Sequence, residues 1–126
     1  MLAQTAAGTL SVSSTSYWFG VPFADPGLDL SGRTQLTYDL IATTGTNVHL
    51  ALKVGPNWSW CEIGASNTGW TKAPHVGADA VTFDLTTLPD GTGGTPACLP
   101  NLNQVHAMYL TFDAGSTDEI DNITAH

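Results

Sequence analysis

Between Asn57 and Ile63 the chain reads Asn-Trp-Ser-Trp-Cys-Glu-Ile, with two indoles and a carboxylate at alternate positions. In an extended strand alternate side chains share one face, so Trp58, Trp60 and Glu62 fall on one side and Cys61 and Ile63 on the other. Two assignments are open. Trp in a strand is often a core residue, and in many sandwiches a buried Trp packs against a disulfide. The opposite assignment is preferred, because Cys and Ile are among the most buried residue types while Glu almost never buries unpaired. Glu62 then carries both indoles to the surface, about 6.8 Å apart along the strand. An apolar strip of that kind on a solvent-facing sheet marks a binding surface.

The ring decides what such a strip can do. The face of an indole is apolar and electron-rich, and the axial hydrogens of a β-linked glucose unit present it with a flat, slightly positive, apolar surface. Stacking supplies affinity and hydrogen bonds supply choice. Four tryptophans, Trp18, Trp58, Trp60 and Trp70, exceed what so small a core needs, and Trp70 ends a polar Asn67-Thr-Gly turn. Lys53, His49, Glu62, Asn57, Asn67, Lys72, His75 and Tyr109 are the groups expected to reach sugar hydroxyls around the strip. Ordinary surface polarity is the alternative for each.

These residues need strands to position them. No useful window repeats apolar residues at helical spacing, whereas period-two alternation recurs between Pro, Gly and Asn clusters. The spacing predicts strands over 9–12, 17–21, 35–42, 47–54, 58–63, 71–73, 80–85, 105–112 and 119–124, and an all-β fold: a single-domain antiparallel β-sandwich of the jelly-roll type. Val48, Leu50, Leu52 and Val54 form one inward row, leaving His49, Ala51 and Lys53 outward. Leu36, Tyr38 and Leu40, then Val81, Phe83 and Leu85, then Met108, Leu110 and Phe112 are the matching inward rows. Residues 1–8 are expected to lie outside the folded unit.

Composition narrows the partners. Eleven acidic residues against three Lys and Arg give a net charge of -8 and an isoelectric point near 4.4. So few cations cannot neutralise a phosphate backbone, which argues against nucleic acid, and they leave nothing to hold an anionic membrane surface. No apolar run approaches the roughly 20 residues of a spanning helix. Only 11% of residues are charged while 42% are hydrophobic, so the surface is finished by hydroxyls and amides, which suits an uncharged polysaccharide.

Cys61 and Cys98 match no metal or redox spacing. They are either paired or buried as free thiols, and pairing is the expected state. A bond between them closes a loop of about 37 residues, contributes about 3 to 4 kcal/mol in the chain-entropy treatment, and implies an oxidising compartment. The N-terminus has neither a basic region nor an apolar run, so no intact signal peptide is expected and Met1 is expected to open an excised fragment. Asn57-Trp-Ser and Asn122-Ile-Thr are glycosylation sequons, and a glycan on Asn57 would crowd the strip.

Asp29-Leu-Ser-Gly-Arg33 leading into Leu36-Thr-Tyr-Asp-Leu40, then the Trp-x-Trp strand, then Asp118-Glu-Ile-Asp-Asn-Ile-Thr124 follow one another along the chain. This order resembles the β-sandwich carbohydrate-binding modules attached to bacterial cellulases and mannanases, over roughly residues 10–124. The short frame is similar to family eighty-one of these modules. The resemblance implies binding of β-1,4-glucans such as cellulose, with xyloglucan and mixed-linkage glucan as further ligands. It also implies a covalently linked glycoside hydrolase as partner, and secretion from a bacterium to the plant cell wall. Related modules hold a structural calcium with an acidic residue on an additional first strand, and nothing before Leu10 is acidic here. Asp121 matches the terminal Asp-Asn motif; with a loop acid such as Asp25 and backbone carbonyls it could offer the oxygens calcium takes. The other reading of Asp121 is a strand-end Asp making turn hydrogen bonds. No cofactor is required.

Glycoside hydrolysis needs two carboxylates about 5 to 9.5 Å apart, and no spacing selects a partner for Glu62 from Asp39, Asp84 or Asp113. Neither Gly-x-Ser-x-Gly nor His-Glu-x-x-His occurs. The expectation is binding without catalytic residues. A structural or adhesive extracellular sandwich, hiding its tryptophans and binding no sugar, is the alternative class.

Overall fold

Period-two alternation folds this chain into strands. The structure is a computed structural model that describes residues 2–4, 10–13, 18–45, 48–64, 76–111 and 115–126, excluding the side chains of 2–4, 10–13, 18, 19, 49, 64, 78–80 and 111. Within these residues the strands are β1 (Leu2–Gln4), β2 (Leu10–Ser13), β3 (Trp18–Pro22), β4 (Gln35–Thr43), β5 (His49–Val54), β6 (Ser59–Gly64), β7 (Gly77–Asp84), β8 (Val105–Thr111) and β9 (Thr117–Ala125). Single-turn helices at Leu85–Thr87, Thr92–Gly94 and Leu99–Asn101 occupy the connection from β7 to β8. The strand expected over 71–73 lies outside the described residues. Leu2–Gln4 pairs with β2 although no strand is expected there from its pattern. Leu85 leaves the strand because Asp84 caps a helical turn instead, its carboxylate accepting from Thr86 N–H at 3.0 Å.

All pairings are antiparallel and form two sheets, a five-stranded one ordered β1-β2-β9-β4-β7 and a four-stranded one ordered β3-β8-β5-β6. The all-β expectation holds. The inward rows of both sheets meet in one buried cluster: Leu36, Tyr38, Leu40, Val81, Phe83 and Ile120 come from the larger sheet, and Leu50, Leu52, Val54, Cys61, Ile63, Met108 and Leu110 from the smaller. Phe112, also expected inward, lies outside the described residues. At roughly 1.5 to 3 kcal/mol for each large apolar side chain removed from water, this cluster supplies the main driving force.

One buried carboxylate sits at the margin of that core. Asp118 accepts hydrogen bonds from Thr43 Oγ1 and from Ser116 Oγ, the latter at 3.0 Å. Burial first, and the nearby Asp118 second, raise the Tyr38 phenol far above its ordinary value, so the ring stays neutral. The Asp29-Leu-Ser-Gly-Arg33 motif is a turn into β4, in which Asp29 Oδ1 accepts from Ser31 N–H at 2.8 Å and from Ser31 Oγ at 2.6 Å. Asp90 repeats the device with Thr92 at 2.9 and 2.7 Å.

The two cysteines are bonded, Cys61 on β6 to Cys98 in the connection from β7 to β8. A disulfide is the state expected in an oxidising compartment. It ties down β6, which among the described residues is an edge strand paired with β5 alone. No helix among the described residues is long and apolar enough to cross a membrane.

Two outcomes follow from these contacts. Replacing both cysteines by Ala should remove about 3 to 4 kcal/mol and lower the melting temperature by roughly 10 to 20 °C, read by circular dichroism. An unchanged melt would show that the bond contributes nothing. The carboxyls of Asp29 and Asp90 are held below the ordinary value, chiefly by the Ser31 and Thr92 hydroxyls and next by the corresponding amides. A carboxyl depressed on folding adds stability that is present above its unfolded value and lost as pH falls through its folded value. Carboxyl NMR titration should therefore place both midpoints below that of an unstructured Asp, and midpoints at or above it would refute these turns.

Candidate functional site

The outer face of the four-stranded sheet is laid out by register. One cross-strand row runs Gly20, Tyr109, Ala51, Glu62; the next runs Pro22, Ala107, Lys53, Trp60. Each row has one small residue among its two central positions, Ala51 on β5 beside Tyr109 and Ala107 on β8 beside Lys53. Trp60 from β6 and Tyr109 from β8 meet across the intervening β5, ring centroids 5.0 Å apart at 50°. Ala51 consequently has 0% exposure although it belongs to the outer row. Tyr109 lies over the bare backbone of Gly20: a Cβ there would stand 2.6 Å from its ring, so the position requires glycine.

Polar groups hold this pair. Trp60 Nε1–H donates to Glu62 Oε1 at 2.8 Å, along the same face of β6. Lys53 Nζ stands 5.9 Å from the Tyr109 ring centre, within cation–π range. Trp60 keeps 37% of its surface in solvent. Cys61 and Ile63 are buried and Glu62 is exposed, which is the parity expected from the sequence.

Trp58 is placed differently from that expectation. It does not extend the β6 row; it closes the turn Gly55–Trp58 between β5 and β6, with its N–H donating to Gly55 O at 3.1 Å and a φ of 51°. A left-handed backbone costs a non-glycine residue on the order of 1 to 3 kcal/mol and persists only where surroundings enforce it. Here His106 enforces it. The two rings are parallel to within 2° with centroids 4.0 Å apart, and 52% of Trp58 remains exposed. The indoles therefore make two separate aromatic contacts rather than one strand row.

His106 is the residue that sequence reasoning missed. Lys53 pairs with Ala107 and the next residue, Val54, pairs with Val105, so His106 is an extra residue on β8, a β-bulge. The bulge returns Val105 to the core and releases the imidazole toward the turn. A signal existed: in strict alternation His106 would share the inward parity of Met108 and Leu110, an unfavourable place for a polar ring.

The remaining candidates are distributed as follows. Asn57 is exposed in the turn beside Trp58. The backbones of Trp18 and His49 both pair with Thr111, at one end of the same sheet; their side chains are not described. Trp70 and Lys72, with Asn67 and His75, lie outside the described residues. Asp121 sits on β9 opposite Asp39 in the other sheet, its Oδ1 accepting from Asn122 N–H at 2.8 Å, while Asp25 lies in the loop after β3. Among the described residues no group of three or more His, Cys, Asp or Glu is arranged to hold a metal ion.

A cavity of about 430 Å³ lies between the sheets, lined by Val21, Phe23, Leu36, Met108, Leu110, Ile120 and other apolar side chains. Its described lining offers no side-chain partner to a sugar hydroxyl, and burying unpaired hydroxyls is costly. The aromatic outer face combines exposed rings with a carboxylate, an ammonium and an amide.

No protein-family model matches the chain, and no curated protein matches it. A direct check of the site is available. Glu62→Leu should remove the hydrogen bond from Trp60 Nε1 to Glu62 and raise acrylamide quenching of tryptophan emission while the melting temperature moves by only about 2 to 5 °C, since an exposed hydrogen bond contributes about 0.5 to 1 kcal/mol. Unchanged quenching would mean that Glu62 does not hold the indole.

Proposed function

We propose that this chain is a non-catalytic carbohydrate-binding module, secreted as part of a larger protein and directing a linked glycoside hydrolase to β-glucan in plant cell walls. The ligands are β-1,4-glucan chains such as cellulose, with xyloglucan and mixed-linkage glucan, as the resemblance to jelly-roll modules of family eighty-one implies. The observation that carries this reading is the exposed aromatic surface of the smaller sheet, where Trp60 and Tyr109 pack together on the outer face and Trp58, in the β5–β6 turn, stacks on His106.

The physical basis is stacking on sugar faces with hydrogen bonds at the edges. Lys53, Glu62 and Asn57 flank the rings and supply donors and acceptors of both kinds. A net charge of -8 does not oppose a neutral polymer, and few charged groups need to be desolvated when one binds. The module would act by raising the local concentration of its linked enzyme on the substrate. It performs no chemistry itself.

Affinity electrophoresis in gels containing hydroxyethyl cellulose tests the reading. Wild-type protein should be retarded, and Trp60→Ala should lose affinity by about tenfold to a hundredfold, or about 1.4 to 2.8 kcal/mol, with little change in melting temperature. Absence of retardation by any β-glucan would overturn the proposal in favour of a structural or adhesive domain. A Trp60→Ala protein that unfolds would assign the indole to the core.

A further inference from the structure

We propose that His106 is a positioning residue whose imidazole aims Trp58 outward, making the Gly55–Trp58 turn a second aromatic contact for ligand, separate from the Trp60–Tyr109 pair. The inference rests on the glucan-binding reading and deepens it by assigning a role to a residue that would not itself touch the sugar.

One carbonyl ties the assembly together. Gly55 O accepts the Trp58 N–H at 3.1 Å and lies 2.8 Å from His106 Nε2. A carbonyl only accepts, so Nε2 carries a proton and donates it, which fixes the tautomer and the ring orientation. The same ring then covers one face of the indole in a parallel stack at 4.0 Å. His106 thus grips Trp58 twice, through its backbone turn and through its side chain, and the half-exposed indole keeps surface for a ligand.

The anchor is itself immobile. His106 is 5% exposed, its position is set by the bulge between β5 and β8, and its own carbonyl accepts Phe23 N–H at 2.8 Å. Gly55 is equally constrained: its φ is 71°, a Cβ would stand 2.8 Å from the Asn101 side chain, and its N–H donates to Gln104 O at 2.8 Å. A ring backed by a fixed ring loses little freedom when a ligand arrives. A histidine serving only to fill space would have no need of a coplanar partner in the solvent layer.

Two substitutions separate the ring from the donor. His106→Phe keeps a flat ring beneath Trp58 and removes the hydrogen bond; His106→Gln keeps a donor for Gly55 O and removes the ring. Retardation by hydroxyethyl cellulose and melting temperature should be measured for both, with Trp58→Ala as reference. We expect His106→Gln to lose affinity as Trp58→Ala does, by about tenfold, and His106→Phe to stay within about twofold of wild type. The same order should appear in acrylamide quenching of Trp58, taken as the difference from the matching Trp58→Phe protein. Wild-type affinity in His106→Gln, or equal loss in both variants, would overturn the proposal. If wild-type protein binds no β-glucan, the functional reading fails by itself, and unchanged Trp58 quenching in His106→Gln would then overturn the positioning role independently.

Discussion

Burial of the inner row of β5 is the constraint on which the outer face depends. Leu50, Leu52 and Val54 are sealed against the opposite sheet, and a one-residue slip would turn them all to solvent. Holding them in place holds Ala51 and Lys53 on the other side. The neighbouring strands inherit the same phase through the ladders, so Cys61 and Ile63 on β6 and Met108 and Leu110 on β8 face inward. Trp60, Glu62 and Tyr109 are outside because the core has no other consistent register. The disulfide reinforces this on β6, which among the described residues has ladder bonds on one side only.

The bulge at His106 is where that phase is deliberately broken. A single extra residue on β8 lets Val105 and Met108, three positions apart, both lie in the core. The residue squeezed out of the ladder cannot enter the core and cannot join the outer row. It turns instead to the end of the β5–β6 hairpin, where a glycine carbonyl satisfies its proton and an indole covers its face. Strain in the turn and irregularity in the sheet thus meet at one point, and each compensates the other. Neither would be stable in a regular hairpin.

Much of this was legible in the residues, and what was not has a physical cause. Alternation placed the inner rows and the phase of Trp60, because burial on one face acts on every second residue, while the disulfide was expected from two cysteines that fit no metal or redox spacing. It misplaced Trp58, since an Asn-Trp-Ser run satisfies a strand pattern as well as a turn and only the φ of 51° distinguishes them. It could not see His106, because a bulge depends on register between two strands and not on either strand alone. It placed Glu62 on the outer face but not its bond to the Trp60 indole, a contact between side chains of one strand that alternation permits without requiring. The Asp-Leu-Ser-Gly-Arg motif was recognisable but its work was local: it shapes the turn into β4.

Preorganisation ties these features together. A side chain that must be immobilised on binding costs conformational entropy, less for a ring with two χ angles than for a long flexible chain. Trp60 is already fixed by Glu62 and Tyr109, Tyr109 by its seat on Gly20, and Trp58 by His106. For a ligand lying on this face, rings that are already fixed would leave more of the stacking gain as net affinity. A sugar face stacks weakly on any one ring, so its affinity depends on not spending that gain to order the rings first. The small residues Gly20, Ala51 and Ala107 contribute in the same sense, because they let the rings rest against the sheet rather than stand free above it. The low charge of the surface and the fixed attitude of its aromatic groups are therefore two aspects of one arrangement, in which little would have to be desolvated or ordered by a neutral ligand of the kind proposed.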